Sequence, residues 1–109
     1  MGYLLGVDLG TSGTKTVLFK EDGTVVASKT IEYPLYQPKN GWAEQDPLDW
    51  WNATCGTTKA VIAQAGISAS EIKGVGISGQ MHGLVMLDKA GNVLRKSIIW
   101  CDQRTAKEC

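Results

Sequence analysis

The segment at residues 8–15, DLGTSGTK, combines glycines, hydroxyl residues and one carboxylate in a way that could bind phosphate. Asp8 ends an apolar stretch, and Gly10, Thr11 and Ser12 follow it. Glycines let backbone N–H groups turn into an anion-binding concavity, and hydroxyl groups add further donors. Asp8 would repel a phosphate directly, so it fits beside one only with Mg²⁺ or its water shell between them. The segment predicts a site for nucleotide phosphate and metal, and the plain alternative is a glycine-rich hairpin with an acidic strand end.

Two better-known glycine patterns do not describe this chain. The Walker A pattern needs four residues between its first glycine and its Gly-Lys pair, whereas only two residues separate Gly10 from Gly13 here. Residues 74–79, GVGISG, match the GxGxxG spelling, but they lie inside an expected strand and do not open a helix. Lys15 would point away from the face of Asp8 only if the hairpin register is regular, so Lys15 is assigned no role.

A second polar group occurs at residues 78–83, SGQMHG, where an expected strand ends. Gln80 and His82 can each donate and accept hydrogen bonds, which suits the hydroxyl groups of a neutral polyol. The alternative is a structural role for His82, the single histidine of the chain. A metal site is disfavoured here because no second histidine or nearby cysteine has ligand spacing.

A third group lies at residues 100–104, WCDQR. Trp100 offers an aromatic plate, Asp102 a carboxylate and Arg104 a guanidinium group, and together they could hold a sugar. The alternative is an exposed helix start that carries a surface ion pair. The sequence alone leaves both interpretations open.

Strands are expected to position the first of these groups. Residues 3–9 and 14–19 are short apolar or β-rich runs joined by a glycine-bounded loop, which is typical of a hairpin. An Asp-Gly turn leads into residues 24–32, which are rich in β-branched side chains. The pattern predicts a three-stranded meander followed by an irregular loop at residues 34–41, where two prolines remove backbone donors.

A helix is predicted to follow this loop. Asp46 can cap it, Pro47 suits its first turn, Asp49 complements its N-terminal dipole, and Gly66 suits its end. Apolar and small residues recur at spacings of three and four and predict one buried stripe. The stripe consists of Leu48, Trp51, Cys55, Thr58, Ile62 and Ala65.

The last third of the chain is predicted to return to strands. Residues 72–78 place small side chains on one side, so we expect another element to pack closely there. Residues 84–94 predict a strand, a turn and a returning segment, residues 98–100 are short and apolar, and residues 102–109 could begin a helix. The order β-β-β-α-β-β with one crossover helix indicates a mixed sheet and an α/β or α+β fold.

Composition excludes several classes of function. The chain has 109 residues, of which 43% are hydrophobic and 20% charged, as in an ordinary globular domain. Eleven basic residues balance eleven acidic ones, so no global field would attract nucleic acid or an anionic membrane. Three cysteines without a CxxC pair argue against a disulfide framework, and we see no signal peptide. We therefore expect a reduced, cytoplasmic protein.

Taken together, these segments resemble the FGGY family of carbohydrate kinases. Residues 5–15 look like the family's first phosphate motif, and residues 76–83 look like the segment typical of members that act on xylulose. Residues 99–104 are similar to the Trp-x-Asp-x-Arg stretch of the family, and residues 41–47 resemble the loop before its first helix. The matches occur in the family's order over nearly the whole chain.

The resemblance implies a ribonuclease H-like fold of the actin, Hsp70 and hexokinase type. It implies transfer of the γ-phosphate of ATP to the 5-hydroxyl of D-xylulose, with ATP and Mg²⁺ as cofactors. The expected nucleotide-binding residues are Asp8, Gly10, Thr11, Ser12 and Thr14. Asp8 would also help position Mg²⁺ through water.

On the sugar side, the resemblance implies contacts from Met81, His82 and Asp102, with Gln80 and Trp100 shaping the pocket. Glycerol kinases carry an Arg-Glu pair where this chain has Met81 and His82. Glycerol is therefore the less favoured substrate.

This chain differs from the members of the family mainly in its length. Family members have about five hundred residues in two such domains, so residues 1–109 would be the N-terminal portion of the first domain. The resemblance places the general base beyond residue 109, so we expect this chain alone to be inactive. The missing sheet and helix partners would also leave apolar surface uncovered, which predicts self-association or marginal stability. Two alternatives stay open: a kinase for another ketose or sugar acid, and a non-catalytic sugar or nucleotide sensor. The oligomeric state is also open, with a homodimer of the parent as one candidate.

Overall fold

A four-stranded mixed sheet forms the centre of the computed structural model, which describes residues 2–80, 83 and 85–104. Strands β1 (Tyr3–Leu9), β2 (Gly13–Lys20) and β3 (Val25–Glu32) pair antiparallel in sequence order. Strand β5 (Ile72–Gly79) lies parallel to β1 at the other edge, which gives the order β3-β2-β1-β5. The predicted meander, the strand after the helix and the α/β class are confirmed.

Helix α1 (Pro47–Ala65) covers one face of this sheet. The side chain of Asp46 accepts a hydrogen bond from the Leu48 N–H, and Gly66 ends the helix in a left-handed conformation with φ of 67°. Both ends agree with the predicted cap, first-turn proline and terminal glycine. The helix packs mainly against β2 and β3 and contacts β1 only slightly.

The predicted buried stripe of the helix is wrong. Ala53, Thr57 and Val61 are the buried helix residues, whereas Leu48 is 54% and Trp51 is 65% exposed. The remaining members of the predicted stripe, Cys55, Thr58, Ile62 and Ala65, are only partly buried. Small side chains face the sheet because the helix lies close to it, and the hydroxyl groups of Thr57 and Thr16 meet at 2.7 Å in the interior.

Two short strands hold the loop before the helix. Strand β4 (Glu44–Gln45) pairs antiparallel with β6 (Ser97–Ile98), so the segment before α1 is joined to the end of the described chain. A 3₁₀ helix at Ala69–Glu71 leads into β5. This second, two-stranded sheet fixes the segment that carries Trp100 next to the main sheet.

The end of the chain agrees with the prediction only in part. In the described part of the segment expected to be a strand, turn and return, Leu87 and Val93 form an isolated bridge around a turn at Asp88. The expected helix at residues 102–109 falls largely outside the described residues, because residues 105–109 are not among them. Within the described part of the chain, no helix is long and apolar enough to cross a membrane.

The small-residue face of β5 is open in the described residues. A Cβ atom built on Gly76 would meet no atom within 4 Å, which contradicts the expectation that another element packs closely there. Gly13 is different, because its Cβ would lie 2.7 Å from the Ile31 carbonyl oxygen and 3.0 Å from the Glu32 Cα. Gly13 is thus required by the close approach of β3.

We therefore expect Gly13→Ala to destabilise this chain and Gly76→Ala to leave its stability nearly unchanged. The new methyl group at position 13 would overlap backbone atoms that cannot rotate away, at a cost of about 1–3 kcal/mol. Urea unfolding of both variants and the parent chain would measure the difference. Equal stability of the two variants would show that β3 can move away from Gly13.

Candidate functional site

Parallel pairing of β1 and β5 brings two of the polar groups to one edge of the sheet. Asp8 pairs with Ser78 and Leu9 with Gly79, so the loops that follow both strands begin side by side. In open α/β sheets, ligands bind outside the carboxyl ends of such strands. The first and second groups identified in the sequence are therefore neighbours in the fold.

A cleft of about 390 Å³ lies at this edge. It contains residues from all three polar groups of the sequence, although they are as far apart as positions 8 and 100. The lining residues are Asp8, Leu9, Gly10, Thr11, Gly79, Gln80 and Trp100. Five residues expected at the nucleotide or sugar site thus share one cleft, and whether they bind either ligand stays a prediction.

Asp8 is exposed in this cleft and stands directly opposite Lys15 in the antiparallel ladder. Directly opposed residues point to the same face of a sheet, so Lys15 lies on the face of Asp8. The four-residue loop between Leu9 and Thr14 sets this register, and its length is visible in the sequence. Lys15 is therefore a cationic residue on the Asp8 face that sequence analysis set aside.

Asp8 fits a water-mediated Mg²⁺ site better than a complete protein cage. No cluster of three His, Cys, Asp or Glu side chains occurs among the described residues. Mg²⁺ commonly uses one or two carboxylates, substrate phosphates and several waters. A single exposed carboxylate beside a hydroxyl-rich loop matches that pattern.

The hydroxyl residues of the loop have different environments. Thr11 lines the cleft and its Oγ1 accepts a hydrogen bond of 3.1 Å from the Trp100 indole N–H, and Ser12 is exposed. Thr14 is fully buried and its hydroxyl donates to the Tyr33 hydroxyl at 3.3 Å. The Thr14 side chain therefore stabilises the hairpin and does not line the cleft, and its contact with a nucleotide stays a prediction.

Neither Gly10 nor Gly13 has a left-handed backbone conformation, but other backbone atoms approach both glycines closely. Positive φ angles occur at Gly23, Gly41, Gly66 and Gly91, and Gly10 is not among them. The Gly10 N–H instead donates to the Gly13 carbonyl at 2.9 Å and closes the turn. The predicted anion-binding concavity therefore does not depend on a positive φ angle at Gly10.

Gln80 lies at the inner end of the cleft. Its Nε2 donates to the Gly10 carbonyl at 3.3 Å and to Gln45 Oε1 at 2.7 Å. Its own Oε1 is buried without a hydrogen-bond partner among the described residues. Met81 and His82, the other predicted sugar contacts of this loop, lie outside the described residues.

Asp102 is not among the residues that line the cleft, and its contact with sugar stays a prediction. Its side chain is 2% exposed, and its oxygens accept hydrogen bonds from the Arg104 guanidinium at 2.7–3.0 Å and from the Ala43 N–H at 2.6 Å. Arg104 also bonds Glu44 at 2.6 Å and stacks 3.6 Å from the Trp42 ring centre. The expected surface ion pair is therefore a buried one that joins the Trp100 segment to the loop before α1.

The charge network lowers the pKa of Asp102. Hydrogen bonds from the Arg104 side chain are the main cause, partly opposed by burial, and they bring the pKa to about 2. The carboxylate is consequently ionised at neutral pH, and both of its oxygens accept hydrogen bonds from Arg104.

Comparison with known proteins identifies relatives along the whole chain. Residues 3–109 match the description "FGGY family of carbohydrate kinases, N-terminal domain". The chain is 44% identical over 109 residues to a xylulose kinase of Bacillus subtilis, covering 100% of this chain and 22% of that protein. It is 40% identical over 110 residues to a glycerol kinase of Afipia carboxidovorans, with coverage of 100% and 22%.

Solved structures of sugar kinases are also similar to this chain. A xylulose kinase from Brucella ovis superposes with a TM-score of 0.91 at 42% identity, covering 97% of this chain and 22% of its own. A gluconate kinase from Lactobacillus acidophilus gives 0.89 at 34% identity, with coverage of 98% and 21%. The expected ribonuclease H-like fold is confirmed. The chain spans about one fifth of the length of these relatives.

The pKa of Asp102 predicts how acid affects stability. Because the folded pKa of about 2 lies below the usual value of about 3.9, this carboxylate stabilises the fold above about pH 4. That contribution is lost as the pH falls toward 2. We expect Asp102→Asn to lower the thermal midpoint at pH 7 by about 5 °C or more and to flatten its fall between these pH values.

Thermal unfolding followed by circular dichroism from pH 2 to 7 would measure both effects. Glu32→Gln, which removes an exposed carboxylate, is the matched control. If Asp102→Asn and Glu32→Gln gave the same pH profile, the buried ion pair would not contribute to stability as inferred.

Proposed function

Because the chain belongs to the FGGY family of carbohydrate kinases, we propose that it is the N-terminal portion of an enzyme that phosphorylates D-xylulose with ATP. The observation that carries this proposal is the single cleft shared by Asp8, Thr11, Gln80 and Trp100. Phosphoryl transfer needs a nucleotide phosphate and an acceptor hydroxyl held side by side, and the two loops that meet here carry groups suited to each.

The hairpin loop forms the nucleotide side in this proposal. Thr11 and Ser12 would face the phosphates with their hydroxyl and backbone N–H groups, and Lys15 would add a positive charge on the same face as Asp8. Asp8 would hold Mg²⁺ through its water shell. The bound ion would neutralise charge on the phosphate oxygens, as in other phosphoryl-transfer enzymes.

The loop after β5 and the Trp100 segment form the sugar side. Trp100 is 58% exposed and its ring is anchored by the hydrogen bond from its indole N–H to Thr11. An anchored aromatic face suits packing against the apolar side of a sugar ring or chain. Gln80, Met81 and His82 would supply hydrogen-bonding and apolar contacts.

D-Xylulose is favoured as the acceptor by the residues 78–83, SGQMHG, which resemble the corresponding segment of xylulose kinases. A kinase for glycerol or gluconate is the second candidate, because proteins with those names are also similar to this chain. The Arg-Glu pair typical of glycerol kinases is replaced here by Met81 and His82. This replacement favours a ketose over glycerol.

The substrate is tested by offering MgATP and one of five acceptors to the full-length protein: D-xylulose, L-ribulose, D-ribulose, glycerol or gluconate. We expect kcat/KM for D-xylulose to exceed that for each other acceptor by about tenfold or more, as measured by ADP release. The 109-residue chain should release no sugar-dependent ADP. A preference for another acceptor would reject the assignment to xylulose, and no turnover with any acceptor would favour a sensor.

The role of Asp8 predicts the effect of removing its charge. Asp8→Asn in the full-length protein should lower kcat by about 100-fold or more, because the carboxylate would no longer hold Mg²⁺ near the phosphates. Asp22→Asn, which changes an exposed aspartate in the β2–β3 turn, is the control and should retain activity. Equal kcat values for the two variants would contradict the role of Asp8.

A further inference from the structure

Gln45 is a polar side chain with no exposed surface. A buried amide is stable only when its donors and acceptors are paired, and this one makes three hydrogen bonds. Its Nε2 donates to the Thr11 carbonyl at 2.5 Å, and its Oε1 accepts from the Trp50 indole at 2.9 Å and from Gln80 at 2.7 Å. Gln45 therefore joins the hairpin loop, the helix and the loop after β5.

Chemistry fixes the direction of the Gln45 amide. The Trp50 indole can only donate, so the atom facing it must be the amide oxygen. The Thr11 carbonyl can only accept, so the atom facing it must be the amide nitrogen. A reversed amide would place oxygen against oxygen and nitrogen against N–H, so the contact with Thr11 is held in one orientation.

The neighbouring carbonyl, that of Gly10, is held in the same way. The Tyr33 hydroxyl donates to it, and Gln80 Nε2 donates to it at 3.3 Å. Burial raises the pKa of Tyr33, and the nearby charge of Asp8 adds to the increase, so the hydroxyl remains a donor. Two consecutive carbonyls of the loop, at Gly10 and Thr11, are thus anchored on the inner side.

Anchoring the carbonyls decides where the N–H groups of the loop point. In a trans peptide the C=O of one residue and the N–H of the next point in opposite directions, and the described residues contain no cis peptide. The N–H groups of Thr11 and Ser12 therefore point away from Gln45 and Tyr33. Neither N–H donates to a described residue, so both are available to an anion on the outer side.

We propose that Gln45 and Tyr33 are positioning residues that hold the Thr11 and Ser12 N–H groups outward, toward the phosphates of a nucleotide. This inference rests on the proposed function, because it assumes that the hairpin loop binds a nucleotide. The two side chains do not touch the ligand and act through the carbonyl groups that they anchor. They supply the orientation that the backbone at Gly10 does not provide by itself.

The test uses the full-length protein with Gln45→Met and Tyr33→Phe, which remove the hydrogen bonds and keep most of the side-chain volume. Gln103→Met changes an exposed glutamine, and Tyr3→Phe changes a tyrosine whose hydroxyl bonds no described residue, so these are matched controls. Calorimetric titration with MgADP gives the dissociation constant without turnover. Steady-state kinetics gives KM for MgATP, KM for the sugar, and kcat.

We expect each test variant to weaken MgADP binding and to raise KM for MgATP by roughly tenfold, about the effect of one hydrogen bond. KM for the sugar should change less than KM for MgATP. A merely structural role would lower kcat through loss of folded enzyme and leave the MgADP dissociation constant unchanged. Thermal unfolding checks folding, and if Gln45→Met does not fold, the milder Tyr33→Phe decides the outcome.

Two different results would overturn the inference, and they can be told apart by whether the kinase proposal still stands. Folded test variants that bind MgADP as tightly as the controls would reject the positioning role while the kinase proposal stands. Wild-type protein that neither binds MgADP nor phosphorylates any sugar would reject the proposed function and this inference with it.

Discussion

The parallel pairing of β1 with β5 is the constraint on which the site depends. Asp8 faces Ser78 and Leu9 faces Gly79 only because these strands run in the same direction with this register. A shift of one residue would turn Asp8 to the face that packs under α1, where Leu5 and Val7 are buried. The two buried apolar side chains therefore also fix the orientation of the carboxylate on the opposite face.

A second set of polar contacts connects the loop before α1 to the end of the described chain. The ion pair of Asp102 and Arg104 closes over Glu44 and Trp42, which places β4 beside β6 and Trp100 over Thr11. Such a buried pair costs desolvation energy, and removal of one partner would leave the other charge buried and unpaired. In the described residues Asp102 and Arg104 thus bond each other and the loop before α1, although their types also suit a sugar.

Sequence patterns predicted the strands and helix ends well because local signals determine them. Turn residues, the Asp46 cap and Gly66 act within a few positions, and the structure agrees with each. The buried face of the helix was predicted wrongly because it depends on how closely α1 approaches β2 and β3. No local pattern could show that residues of the three polar groups would share one cleft, or that Gln45, in a two-residue strand, would meet Thr11 and Gln80.

The uncovered surface beside β5 connects the fold to the proposed function. Because α1 packs mainly on β2 and β3, Val75 and Ile77 remain 57% and 73% exposed on the same face of the sheet. β5 is also an edge strand in the described residues, and exposed apolar edges favour pairing with further chain. The relatives are about five times longer, so the additional polypeptide proposed for the full-length protein has a surface to cover. Since Gln80 directly follows β5, a segment packed on β5 would lie next to the cleft that Gln80 lines.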